Sequence, residues 1–166
     1  MDLTYLELEI AERVANQRYE SAREDGIEDR KKGPQSTYVT DLNGMIGEIA
    51  LAKYLNVYPD LAIDTGAGGV DMRYKHLTID VKTTEYLDGH LLAPTWKQHR
   101  EHADVFVLLT LDWPTEDYDE PPVAEPKGWI RAENLFHGDN IINLGNGPCF
   151  GVEQEVLRNM DGLKNQ

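Results

Sequence analysis

The run Asp104-Val105-Phe106-Val107-Leu108-Leu109-Thr110 is the sequence feature that most restricts the fold. Its apolar residues follow one another almost without interruption, which is typical of a central β-strand covered on both faces. Such a strand needs a layer of other elements on each side of its sheet. The chain is therefore predicted to be an α/β protein whose central sheet is flanked by helices.

Two shorter runs, residues 70–74 and 77–84, are predicted to form a β-hairpin upstream of that strand. Only Lys75 and His76 separate them, which is the length of a tight antiparallel turn. Alternation along the two strands gathers polar side chains on one side of each strand: Asp71, Arg73, Thr78, Asp80, Lys82 and Thr84. The hairpin is thus predicted to carry two carboxylates and an ammonium on a shared polar face.

Two helices are predicted before the hairpin. Residues 3–25 carry apolar side chains at three- and four-residue steps, with charged residues between them. A second helix is predicted to begin near Asp41, a favourable N-cap residue, and to continue to Leu55. Because its apolar residues cover more than one face, the second helix is predicted to pack against several neighbours.

Glu48 lies in the second predicted helix, on the same face as Leu51 and Leu55. A carboxylate among apolar side chains is costly unless it is paired or bound to a metal. Gly44 and Gly47 precede it, and since a glycine costs a helix roughly 1 kcal/mol relative to alanine, they indicate that another element approaches the backbone closely. Taken alone, Glu48 is better explained as an exposed residue at a helix edge.

The chain after the hairpin is predicted to alternate between short elements and loops. Residues 94–102 indicate a short helix, in which His99 and His102 suggest either a metal site or two exposed side chains. Residues 111–126 contain four prolines and six acidic residues, which predicts an exposed acidic loop. The remaining predicted elements are a short strand at 128–130, a turn or brief helix at 132–136, and a last strand with a helical turn.

The charge of the chain limits how it can bind nucleic acid. Thirty acidic residues against sixteen basic ones give a formal net charge of −14, which argues against non-specific phosphate binding through the overall field. Local binding stays open, because a bound divalent cation inverts the effect of acidic residues near it. The densest basic cluster, Arg30-Lys31-Lys32, is either a phosphate contact or, more simply, part of a solvated loop.

Length and composition indicate one cytoplasmic domain. The 166 residues can build a single core, and the one cysteine, Cys149, excludes an internal disulfide and a cysteine-based zinc site. No apolar run approaches the ~20 residues needed to cross a bilayer, and the first residues lack the pattern of a signal peptide. We therefore expect a protein of the cytoplasm, or of the host cytoplasm for a viral protein, with no membrane partner.

The predicted elements follow a recognisable order: a helix with Glu48, a strand with Asp71, a strand with Asp80-Val81-Lys82, a helix and a buried strand. In this order and in these residues the chain resembles the PD-(D/E)XK nuclease superfamily. Residues 44–52 resemble the helix that carries the family's glutamate, Val70-Asp71 stands where the family has Pro-Asp, and Asp80-Val81-Lys82 matches its Asp/Glu-x-Lys signature.

The resemblance covers about residues 42–130 and implies a single PD-(D/E)XK nuclease-like domain over residues 1–166. The implied fold is a restriction-endonuclease-like core, in which a central mixed β-sheet is flanked by helices. The helix at 3–25 is then an extra N-terminal helix.

The resemblance also implies a role for each motif residue. Asp71 and Asp80 would be direct ligands of Mg²⁺ or Mn²⁺, with the backbone carbonyl of Val81 beside them, and Glu48 would complete the site directly, through water or at a second metal. Lys82 would either orient or deprotonate the attacking water. Hydrolysis of a phosphodiester needs neutralised phosphate charge and a nucleophile made from water, which such a site supplies. Alone, Asp80 and Lys82 would be an ordinary ion pair on an exposed sheet.

The implied function is that of a metal-dependent deoxyribonuclease, with DNA as partner. The small size of the chain favours recognition of DNA structure or ends, as in phage, repair or recombination nucleases. A glutamine stands at a place comparable to Gln98 in some exonuclease branches of the superfamily. The candidate substrate-binding residues are Arg30, Lys31, Lys32, Arg73, Lys97 and Gln98.

Two questions stay open from the sequence. The alternative function is that of an inactive nuclease-fold protein whose acidic surface mimics DNA and binds a partner protein. The net charge favours this alternative, whereas Lys82 disfavours it, because a DNA mimic has no use for a lysine among its carboxylates. A homodimer is also open.

Overall fold

The computed structural model describes residues 1–24, 36–63, 70–99 and 102–166. A 3₁₀ helix spans Thr95–His99. The helices and strands in these ranges are α1 (Tyr5–Glu24), α2 (Thr37–Leu55), β1 (Met72–Tyr74), β2 (Leu77–Thr84), β3 (Leu91–Pro94), β4 (Val105–Asp112), β5 (Val123–Arg131), α3 (Ala132–Leu135), β6 (Ile141–Asn143), β7 (Pro148–Val152) and α4 (Met160–Lys164). No helix within the described ranges has the length and apolar character that crossing a membrane requires.

The strands form two sheets. The larger sheet has the order β1-β2-β4-β5, with β2 and β4 parallel and the two outer pairs antiparallel. The smaller sheet, in the order β3-β7-β6, is antiparallel throughout. The predicted α/β architecture, with a mixed sheet flanked by helices, is therefore confirmed.

Strand β4 is covered on both faces, as its apolar run predicts. Val105, Val107 and Leu109 belong to a core that β4 shares with α1 and α2. Phe106 and Leu108 point to the other side, into a second core formed with β3, β7 and α3. The layer on this second side is mainly the small sheet, which the sequence did not predict.

The predicted hairpin is present, and its register places the two aspartates side by side. Met72 pairs with Ile79, and just before β1 the N–H of Asp71 donates to the carbonyl of Ile79 at 2.8 Å, which brings Asp71 close to Asp80. Lys75 adopts a φ of 54°, the left-handed conformation that a two-residue turn requires, although it is not a residue that favours it. Asp80 and Lys82 lie on the face opposite to Ile79.

The predicted start of the second helix is wrong by one turn. Helix α2 begins at Thr37, and its N-cap is Ser36, whose hydroxyl accepts a hydrogen bond from the N–H of Val39 at 3.2 Å. Asp41 is a good cap as well, but Ser36 comes first and no residue between them breaks a helix. The prediction that α2 packs on several sides is confirmed, since it is buried from Met45 to Ala52.

Two further elements differ from prediction. The helix predicted at 94–102 is only the 3₁₀ helix Thr95–His99, because Pro94 ends strand β3 instead of starting a helix. The strand predicted at 128–130 is part of the nine-residue β5, which pairs with β4 from Arg131 to Val123. This long pairing shortens the predicted acidic loop to residues 113–122.

The two glycines before Glu48 differ in their surroundings. A Cβ at Gly47 would overlap Thr83 Cγ2 and lie 3.2 Å from Val81 Cγ1, so α2 and β2 touch at this point. A Cβ at Gly44 would meet no atom of the described residues within 4 Å. Both glycines predicted that another element approaches the backbone of α2, and this approach is observed at Gly47.

We expect the substitutions Gly47→Ala and Gly44→Ala to change stability in opposite directions. Gly47→Ala should lower the free energy of unfolding by about 1–3 kcal/mol, the usual cost of overpacking. Gly44→Ala should raise it by up to about 1 kcal/mol, because alanine is the better helix former. Urea denaturation of the two variants measures both values, and equal stabilisation by both would contradict the contact between α2 and β2.

Candidate functional site

Asp80 lies at the centre of the site and is fully buried, with 0 % of its surface exposed. It sits next to Phe106 across the parallel β2–β4 ladder, beneath the 3₁₀ helix that follows β3. Both carboxylate oxygens are bonded: Lys82 Nζ donates to Oδ1 and Lys97 Nζ donates to Oδ2. Because a buried charge is costly unless it is paired, these two ammoniums account for the burial of Asp80.

Asp71 is the second carboxylate, immediately before β1. Its Oδ2 accepts a hydrogen bond from the backbone N–H of Val81 at 2.6 Å, which fixes it against β2. Burial and the nearby charge of Asp80 raise the pKa of Asp71, while Lys82 and the Val81 N–H oppose that rise. Asp71 and Asp80 are thus close enough for each to feel the other's charge.

Glu48 is the third carboxylate and is 8 % exposed, so its explanation as an exposed residue at a helix edge does not hold. Arg18 Nη1 donates to both of its oxygens, at 3.1 and 3.0 Å. Arg18 also donates to the backbone carbonyls of Asp60 and Ala62, each at 3.0 Å. Glu48 is therefore held between α2, α1 and the segment that follows α2.

Arg18 is a site residue that was not predicted from the sequence, although one signal for it was present. On α1 the buried residues Ala11 and Ala15 form a stripe, and Arg18 continues it at the next three-residue step. When one helix carries a cation on its buried stripe and another carries a carboxylate on its apolar face, the pattern indicates an ion pair between the two side chains. The buried face of α1 also differs from the predicted one. Leu6 was predicted to belong to the apolar face but is exposed, whereas Leu8, which was not, is buried.

The electrostatics of the site follow from burial and from the close charges. Burial, and then the charge of Asp71, raise the pKa of Glu48 to about 7 although Arg18 opposes this. Burial disfavours the ammonium of Lys82, but the carboxylates of Asp80 and Asp71 outweigh it and raise the pKa of Lys82. Burial and the neighbouring Lys82 lower the pKa of Lys97. Asp71 thus repels both Glu48 and Asp80, and the two lysines differ, since the pKa of Lys82 is raised and the pKa of Lys97 is lowered.

Some of the predicted substrate-binding residues lie at the site and others lie away from it. Lys97 reaches the site and bonds Asp80, whereas Gln98 points elsewhere and donates to the backbone carbonyl of Phe136 at 3.1 Å. Arg73 is an exposed residue of β1, opposite Thr78. The basic cluster 30–32 lies outside the described residues.

The donor set fits a hard divalent cation. Mg²⁺ is usually bound by one or two carboxylates together with substrate phosphates, and Asp71, Asp80 and the Val81 carbonyl supply oxygen ligands of that kind. A cation would also offset the repulsion between carboxylates that, after burial, raises the pKa values of Glu48 and Asp71. As the side chains stand, no three His, Cys, Asp or Glu residues of the described ranges form a group that could hold a metal ion. Binding at Asp80 therefore requires one of its ammonium partners to move.

Comparison of the chain with protein-family models, curated proteins and solved structures finds no match. The resemblance to PD-(D/E)XK nucleases accordingly rests on the motif residues and on the order of the elements. The function has to be inferred from the chemistry of the site.

We expect stability to fall as the pH rises through the titration of Glu48. Because its folded pKa of about 7 exceeds the ordinary value of 4.5, the folded chain keeps a proton between these values that the unfolded chain has released. The loss amounts to about 3 kcal/mol in all and is complete above about pH 7. Denaturation of wild type and Glu48→Gln at pH 4.5–8, without divalent ions, measures it.

The variant Glu48→Gln should gain stability relative to wild type as the pH rises, since glutamine does not titrate. Only the pH dependence is compared, because the substitution also alters the contact with Arg18. Glu133→Gln, at an exposed carboxylate of α3, is the matched control and should follow wild type. A constant difference between wild type and Glu48→Gln across the pH range would contradict the raised pKa.

Proposed function

We propose that this protein is a divalent-metal-dependent deoxyribonuclease with a restriction-endonuclease-like core, which hydrolyses phosphodiester bonds of DNA. One observation carries the proposal: Asp71, just before β1, lies within electrostatic reach of Glu48 on α2 and of Asp80 and Lys82 on β2. Lys82 and Lys97 balance the buried charge of Asp80, whereas Asp71 adds a further carboxylate beside it. Phosphodiester hydrolysis uses carboxylates and a lysine in such an arrangement.

Each side chain has a role that its contacts support. Asp71 and Asp80, with the Val81 carbonyl, would hold Mg²⁺ or Mn²⁺, which when bound polarises the phosphate and lowers the pKa of a bound water. The Val81 N–H orients Asp71, and Arg18 orients Glu48. Such positioning by the surrounding backbone and side chains keeps catalytic groups in place before substrate arrives.

Lys82 acts in this proposal as an ammonium. Its contact with Asp80 and its raised pKa favour the charged form, which orients water or stabilises developing negative charge and does not remove a proton. Lys97 brings a second positive charge to the same carboxylate. Two buried ammoniums also disfavour the alternative of a DNA mimic, because a mimic presents negative charge alone.

We expect Asp80→Asn and Lys82→Met to abolish divalent-dependent cleavage of DNA. Each substitution keeps the shape of the side chain and removes its charge, and loss of one such charge contact typically lowers kcat by roughly 100-fold or more. Lys127→Met, at a lysine that pairs with Glu125 on β5, is the control and should cleave as wild type does. Circular dichroism confirms that each variant is folded.

Undiminished cleavage by both site variants would overturn the proposal. If wild type binds Mg²⁺ but cleaves no form of DNA, with linear, circular and branched substrates tested, the inactive nuclease-fold alternative is favoured. The cleavage assay and the metal measurement below are therefore made on the same preparation.

We expect Mg²⁺ or Mn²⁺ to stabilise the folded protein through Asp71 and Asp80. A ligand at 100 times its Kd adds about 2.7 kcal/mol, which raises the unfolding midpoint of a domain of this size by roughly 5–10 °C. Asp71→Asn and Asp80→Asn should lose the shift. Asp104→Asn, at an aspartate that bonds Thr78 on the same hairpin, should keep it. Equal shifts in all variants, or no shift in wild type relative to EDTA, would contradict the metal site.

A further inference from the structure

A groove of about 600 Å³ opens beside the candidate site. It begins at Lys82 and follows the continuation of β2 through residues 83–86, with the start of α2 on one side. Leu144 and Asn146, from the turn between β6 and β7, line the other side. Its volume is that of a site for a small organic ligand.

The charges in this groove do not suit a phosphate chain. Apart from His90, its charged lining residues are Lys82, Glu85 and Asp88, which leaves one positive charge at the end and two negative ones beyond it. Glu85 is fixed there, because its Oε1 accepts a hydrogen bond from Asn43 Nδ2 at 2.7 Å. Since phosphate binding depends on Lys and Arg, a DNA backbone would not follow this groove past Lys82.

The uncharged lining suits a nucleobase. Tyr86 presents a ring that is 66 % exposed, Leu144 offers apolar surface, and amide and hydroxyl groups such as those of Asn146 and Thr84 can pair with the edge of a base. The turn that carries Tyr86 is held firmly, since Gln154 Nε2 donates to the backbone carbonyls of Leu87 and Gly89 at 2.8 and 3.0 Å. An exposed aromatic ring on an anchored stretch of backbone can stack on a base.

We infer that this groove binds an unpaired nucleobase next to the phosphate that lies at Lys82. The inference rests on the proposed nuclease function and narrows its substrate to DNA with a single-stranded end or flap. A base inside a duplex is already stacked and paired, so it would first have to be unpaired to enter. Recognition through a base also explains how a chain with a net charge of −14 would select DNA without attraction through its overall field.

Binding of two tailed duplexes tests the inference. One carries a three-nucleotide single-stranded tail and the other carries the same tail with abasic residues, so that charge is equal and only the bases differ. Fluorescence anisotropy is measured in EDTA, where no metal-dependent hydrolysis occurs. Wild type should bind the base-bearing tail about tenfold more tightly, and Tyr86→Ala should lose this preference.

Tyr58→Ala is the matched control, because Tyr58 is 89 % exposed and does not line the groove. Tyr58→Ala should keep the preference for the base-bearing tail. Leu144→Glu, at another residue that lines the groove, should lose the preference and replaces Tyr86→Ala in the test if Tyr86→Ala folds poorly. Equal binding of the two tails by wild type, or an unchanged preference in both groove variants, would overturn the inference.

The cleavage assay separates this inference from the proposed function. Cleavage that Asp80→Asn abolishes, without any preference for the base-bearing tail, would overturn the groove inference alone. A preference for that tail in a protein that cleaves no DNA would contradict the nuclease and leave the groove as a binding site.

Discussion

The burial of one negative charge, on Asp80, is the constraint on which the rest of the site depends. A fully buried carboxylate needs positive partners, and removing one partner of such a pair typically costs about 3–5 kcal/mol. Lys82 reaches it from the same strand, but Lys97 comes from the 3₁₀ helix after β3. The charge on Asp80 therefore links the small sheet to the large one, in addition to the apolar contacts between the two sheets.

The same packing gathers negative charge that the positive side chains of the site offset only in part. Burial and then the charge of Asp80 raise the pKa of Asp71, and burial and then the charge of Asp71 raise the pKa of Glu48. Arg18 offsets part of this on the side of α1. A divalent cation would offset the rest, which is one reason for proposing a metal-dependent reaction.

The position of the groove follows from the strand that carries the site. Strand β2 supplies Asp80 and Lys82 and then continues into the turn that carries Tyr86, so the candidate site and the proposed base site belong to one stretch of chain. Among the charged residues that line the groove, Lys82 is positive, whereas Glu85 and Asp88 beyond it are negative. In the proposed function, affinity for DNA would come from local contacts, because the net charge of the molecule repels DNA.

The sequence by itself determined the features that depend on near neighbours: the alternation of β2, the two-residue hairpin, the doubly covered strand β4 and the motif residues Glu48, Asp71, Asp80 and Lys82. Periodicity indicates on which face of its own strand or helix a side chain lies, but not which side chains of other elements it contacts. Only the tertiary structure decided that Arg18 would pair with Glu48, 30 residues away, and that Lys97 would share Asp80 with Lys82. It also decided that a second sheet would cover the polar face, because pairing between distant segments depends on complementary charge and shape that no local pattern records.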